Sequence, residues 1–127
     1  MQDRIKQELE MLSKQYGDLE VGENLDYVII KEFSLSDKWN REVTEIFFAI
    51  PAGYPSVKPD NFSVTAGLKT KDGRVPGNYS EPQSHHGKQW GLFSYHVEEW
   101  KPSPDIISGH NLQTFLVGIE NRLKENN

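Results

Sequence analysis

No cysteine occurs among the 127 residues of this chain. Disulfides, thiolate metal sites and a thioester carried on the chain itself are therefore excluded, and the redox compartment is left open. Long apolar runs are missing too, since nothing approaches the roughly 20 residues that a membrane-spanning helix needs. The opening Gln2-Asp3-Arg4-Ile5-Lys6-Gln7-Glu8 carries no apolar signal region, so cytoplasmic residence is the expectation. A basic stripe is likewise absent, and a formal charge of −5 argues against nucleic acid as a partner. Neither an internal repeat nor a low-complexity tract is found. What is present, 26% charged and 35% apolar residues, is the composition of a globular domain. The length predicts a single domain over residues 1–127, able to bury roughly two-thirds of its unfolded surface.

Apolar periodicity then orders the chain. Ile5, Leu9, Leu12 and Tyr16 fall on one face of a helix running from about Asp3 to Tyr16, with Asp3 as its cap and Gly17-Asp18 as its stop. Its other side, with Arg4, Lys6, Glu8 and Lys14, reads as a solvated mixed-charge face. Residues 19–21 begin a strand that turns at Gly22-Glu23-Asn24. In residues 27–35, Val28 and Ile30 point one way and Tyr27, Ile29 and Phe33 the other. Residues 36–41 are polar turn material, in which Trp39 is expected to be exposed and available for contact. Residues 43–50 form the next strand, alternating Ile46, Phe48 and Ile50 with Glu45, Phe47 and Ala49.

Pro51 to Pro59 breaks that strand, with Tyr54-Pro55 a candidate cis peptide, and Phe62, Val64 and Ala66 mark another short one. Lys71-Asp72-Gly73-Arg74 signals a turn. Residues 75–88, bearing Pro76, Gly77, Asn78, Pro82, His85, His86 and Gly87, read as a long irregular loop. From Asn111 to about Lys124 a second amphipathic helix carries the stripe Leu112, Phe115, Leu116, Ile119 and Leu123. Ser108 or Asn111 is its cap, and Arg122 and Lys124 suit its dipole. The fold class is α+β, with a helix at each end of an antiparallel meander.

The segment from Gln89 to Asp105 cannot be one regular element. It holds Trp90 and Trp100, the pair Ser94 and His96, the acids Glu98 and Glu99, and Pro102 and Pro104. The prolines forbid a helix there, and the aromatics are too dense for a bare linker.

Over nearly its whole length the chain resembles the ubiquitin-conjugating (UBC) fold and its RWD relatives. Ile50-Pro51-Ala52-Gly53-Tyr54-Pro55-Ser56-Val57-Lys58-Pro59 is similar to the strand and "YPxxPP" turn of that fold. Trp100-Lys101-Pro102-Ser103 is similar to its "W-x-P" corner, and the opening helix with Tyr16-Gly17-Asp18-Leu19-Glu20-Val21 to the start of RWD domains. More narrowly, Trp90 to His96 and Leu112-Gln113-Thr114-Phe115-Leu116 resemble a bacterial UBC-like group found in ubiquitin-like modification operons. The resemblance implies a UBC/RWD-like sheet of about four strands backed by helices, with a long loop on the active-site side. It implies a ubiquitin-like protein and an activating-enzyme-like protein as partners, the latter meeting the first helix, and no cofactor. Two departures stand out. The family's cysteine, a few residues before the corner tryptophan, has no counterpart near residues 92–94, and the His-Pro-Asn motif is missing. Its nearest echo, Pro76-Gly77-Asn78, lies further upstream and makes Asn78 the candidate oxyanion donor.

Each constellation has a chemical reading and a plain one. If residues 92–96 are extended, Ser94 and His96 point to the same side, and the imidazole can act as base for the hydroxyl. The resemblance would then imply an oxyester to a ubiquitin-like C-terminus, a poorer acyl donor than a thioester and one needing a stabilised oxyanion. The plain reading makes Ser94 a polar strand residue and His96 a partner of backbone groups, leaving a UBC/RWD-type scaffold without catalysis. His85, His86, His96 and His110 with Glu98, Glu99 and Asp105 raise a metal-dependent hydrolase, but no zinc spacing is matched and no metal site is assigned. Trp100 is expected to close the core, and Trp90 is left between core and contact.

Overall fold

The computed structural model describes residues 2–125. In chain order it has α1 (Gln2–Tyr16), β1 (Leu19–Val21), β2 (Tyr27–Ser34), β3 (Val43–Ala49), β4 (Phe62–Thr65), β5 (Tyr79–His85), β6 (Lys88–Phe93) and α2 (Leu112–Glu125). The strands form one antiparallel sheet of six in the order β1-β2-β3-β4-β6-β5, where the sequence suggests about four.

Register sorts the side chains onto two faces. Ile30, Ile46, Val64 and Gly91 lie opposite one another across β2, β3, β4 and β6, and Ile29, Phe47, Ser63 and Leu92 form the adjacent row. Successive residues of a strand point to opposite faces, so the first row belongs to the core and the second to the outer face. The core adds Ile5, Leu9 and Leu12 of α1 and Leu112, Phe115, Leu116, Ile119 and Leu123 of α2, the stripes expected on both helices. Phe33 departs from expectation. A register shift between Ile30 and Phe33 turns its side chain to the core, where it stacks on Tyr16 at 5.8 Å. A bulge adds a residue to one strand, and strict alternation cannot anticipate it.

Residues 79–88 are not an irregular loop: β5 and β6 form a hairpin closed by His86 and Gly87, with His85 opposite Lys88. Both turn residues have positive φ, 52° and 73°, as a two-residue hairpin turn of the favoured twist requires. The usual Asn-Gly signal is replaced by His-Gly, and Pro82 is tolerated because β5 is an edge strand. Peptides Tyr54-Pro55 and Glu81-Pro82 are cis.

Helix ends follow local chemistry. Asp3 is not the cap of α1: the helix already includes Gln2, and Asp3 lies inside its first turn. Gly17, at φ +83°, ends the helix by donating to the Ser13 carbonyl. At α2 Asn111 is the cap: its side-chain oxygen accepts from the Thr114 N–H at 2.9 Å, and the Thr114 hydroxyl accepts from the Asn111 N–H at 2.9 Å. That reciprocal pair satisfies N–H groups the helix itself cannot.

Trp39 is buried, only 3% exposed, and its indole N–H donates to the Leu123 carbonyl at 2.8 Å. A bridge to Thr70 holds the turn against the sheet, so the ring enters the core instead of solvent. Trp90 is fully buried on the outer face, between Phe47 at 5.7 Å and His85 stacked at 5.4 Å. Trp100 is half-buried against the core, its indole N–H donating to the Pro55 carbonyl.

Candidate active site

β6 ends at Phe93, and the next residues are held between two asparagines. On one side the Ser94 N–H donates to the Asn78 carbonyl at 2.8 Å. On the other, the Tyr95 N–H donates to the Asn61 side-chain oxygen at 2.9 Å, and the Tyr95 carbonyl accepts from the Asn61 N–H at 2.8 Å. Asn61 and Asn78 both sit at positive φ, 60° and 55°, a conformation asparagine tolerates better than most residues. Each therefore turns the chain where a strand would otherwise continue.

Tyr95 packs inward against Phe62 at 5.7 Å and Phe115 at 5.9 Å. Gly118 of α2 admits its hydroxyl end, and a Cβ there would lie 2.0 Å from that oxygen. With Tyr95 anchored, its neighbours Ser94 and His96 are both exposed. His96 Nδ1 lies 2.6 Å from Asp60 Oδ1, both side chains at least half exposed. That pair leaves Nε2 as the free nitrogen of the ring. Among the described residues the Ser94 hydroxyl makes no hydrogen bond to His96. Asn78, remote in sequence, comes beside Ser94 through the backbone bond between them.

Asp60 and Asn61 escaped the sequence reading. The turn signal of Pro59-Asp60-Asn61 ahead of Phe62 was the available clue. It marks a change of direction without saying which strand end it will face.

The histidines occupy separate places. His85 and His86 form the hairpin tip and pack on Tyr27, Phe47 and Trp90. Burial, then the neighbouring His86, lowers the His85 pKa from its usual value. His110 stacks on Trp100 at 5.5 Å, and its Nδ1 accepts from the Lys101 N–H. Among the described residues no three His, Cys, Asp or Glu side chains gather as a metal would need. The hydrolase reading therefore finds no ligand set among the described residues.

The face of α1 expected in solvent is partly turned inward. Glu8 is 1% exposed and accepts from Arg4 Nε at 2.8 Å, from the Tyr54 hydroxyl and from the Leu112 N–H at 2.7 Å. It ties α1 to the Tyr54-Pro55 turn and to the start of α2. Burial, and then Glu8, raises the Tyr54 pKa far above its usual value.

A helix, an antiparallel sheet, a tyrosine-proline turn, a tryptophan-proline corner and a closing helix together define an E2-like, ubiquitin-conjugating-type protein. A family profile described as prokaryotic E2 family E matches residues 5–126, and the chain belongs to that family. No curated protein and no solved structure shows significant similarity to it. No helix among the described residues is long and apolar enough to cross a membrane.

Proposed function

We propose that the chain is the carrier of a ubiquitin-like conjugation pathway and takes the activated C-terminus of a ubiquitin-like protein onto Ser94 as an oxyester. One observation carries this reading: an exposed hydroxyl, its backbone N–H held by the Asn78 carbonyl and its neighbour Tyr95 held by Asn61, stands two residues from the His96 of an Asp60–His96 pair. The family supplies the pathway, and the lack of cysteine supplies the need for another acceptor.

In the proposed step Ser94 Oγ attacks the acyl carbon of a thioester on an activating-enzyme-like partner. The C–O bond forms, the C–S bond breaks, and the thiolate leaves. The hydroxyl proton passes to His96 Nε2 and on to the departing sulfur. Asp60 holds Nδ1, orients the ring and offsets the charge it acquires, the division of labour of an acid–histidine–serine set. The Asn78 side-chain amide is the proposed donor to the oxyanion.

A second reading, a UBC/RWD-type scaffold that binds the same partners without chemistry, is favoured by the missing Ser94–His96 hydrogen bond. Unliganded sites often tighten such bonds only around substrate, which keeps the carrier reading ahead. Incubation with the cognate activating enzyme, its ubiquitin-like protein and ATP separates the two. The expected product resists thiols, is cleaved by hydroxide and is absent in Ser94→Ala. His96→Ala is expected to slow its formation by about a hundredfold. Wild-type protein that binds the activating enzyme and forms no adduct would leave the scaffold.

A further inference from the structure

We propose that Arg122 is a positioning residue for Ser94, clamping the segment that ends in Asn78 onto the end of β6. The inference rests on the reading of Ser94 as the acyl acceptor. Sequence position suggests a surface cation completing the dipole of α2, but the residue is only 8% exposed. Its Nη2 donates to the Gly77 carbonyl at 2.7 Å, and its guanidinium carbon lies 4.9 Å above the Phe93 ring. Nη1 lies 4.0 Å from the Glu125 carboxylate.

The two anchors flank one bond. Gly77 precedes Asn78, Phe93 precedes Ser94, and the Ser94 N–H meets the Asn78 carbonyl at 2.8 Å. A single planar group thus grips both chains immediately before the residues that carry the hydroxyl and the proposed oxyanion donor. Packing alone does not account for an arginine here, because burying a cation is costly and an apolar side chain fills space without that cost. Burial indeed lowers its pKa from the usual value, with Glu125 opposing. What a guanidinium adds is a directed N–H on a planar cation that packs over an aromatic face.

The geometry at stake is the spacing between Ser94 and Asn78. A misplacement of about 1 Å near a reacting group can cost about a hundredfold in rate. Arg122→Met keeps an unbranched apolar chain over Phe93 and removes the donor; Arg122→Lys keeps a donor and the charge. The 127-residue chain is charged by its activating enzyme under single turnover, and amide exchange is followed by NMR. Expected for Arg122→Met is a loss of about tenfold or more in the maximal acylation rate at unchanged half-saturation by the charged activating enzyme. The Ser94 amide should exchange at least about tenfold faster while β2 and β3 amides keep their protection. Arg122→Lys should recover most of both.

Unchanged acylation together with unchanged Ser94 exchange in a folded variant overturns the proposal. So does a uniform rise in exchange across the sheet, or an Arg122→Lys variant that folds yet behaves as Arg122→Met. A wild-type chain that forms no adduct removes the carrier reading and not the clamp. Exchange then decides alone: selective loss of protection at Ser94 upholds the clamp, and none overturns it.

Discussion

Glu8 shows what a single buried carboxylate does here. It accepts from a guanidinium, a phenol and a helix N-terminal N–H at once, so each of its donors is left short if it goes. Glu8→Ala should cost about 3–5 kcal/mol, since it leaves Arg4 without its partner in a largely buried setting. Urea denaturation monitored by circular dichroism measures this directly. Asn111→Ala removes the cap of α2 and the donation of its side-chain amide to the Ile106 carbonyl, and should cost about 1–2 kcal/mol in the same assay. The cap was legible as one of two candidates, Ser108 or Asn111, because a short polar residue before an apolar stripe is a local signal. The role of Glu8 was not, because helical spacing identifies the face toward the sheet and is silent on a turn 46 residues away that folds over the flank.

At the scale of elements the β5–β6 hairpin is the feature most sensitive to conditions. Its tip rests on the outer face through His85 and His86, and the Trp90 indole N–H donates to the His85 carbonyl at 3.0 Å. The His85 pKa is depressed on folding, so the unfolded or undocked state holds its proton more tightly. The contribution is therefore fully present above the usual value of 6.5 and is lost as pH falls through the lower folded value. Tryptophan emission should accordingly change as pH drops below 6.5. In His85→Phe, which keeps a ring over Trp90, the part of that change that comes from His85 should disappear. The hairpin itself was missed because His86-Gly87 is an uncommon pair for a turn needing two positive φ values, and Pro82 reads as a breaker until β5 is known to be an edge.

Across the whole molecule, stability and the proposed chemistry draw on different residues. Trp39 joins the turn after β2, Thr70 and the last turn of α2, and Trp39→Ala should cost about 3–5 kcal/mol in denaturant unfolding. Ser94→Ala and His96→Ala remove exposed side chains and should stay within about 0.5 kcal/mol of the parent in the same measurement. A large loss of stability in Ser94→Ala would show that the hydroxyl serves the fold and would weaken the carrier proposal.

The sequence by itself determined the two helices and their apolar stripes, the antiparallel run of strands and the family resemblance, and narrowed the cap of α2 to Ser108 or Asn111, because each is written in spacings of a few residues. Tertiary structure alone decided which polar groups are buried and which distant segments meet. Glu8 and Arg122 turn inward, Trp39 enters the core, and Asp60, Asn61 and Asn78 converge on residues 94–96. Such meetings depend on how strands 1 to 6 are ordered and where β2 and β5 shift register. The free energy that settles them belongs to the packed assembly and to no local stretch of chain.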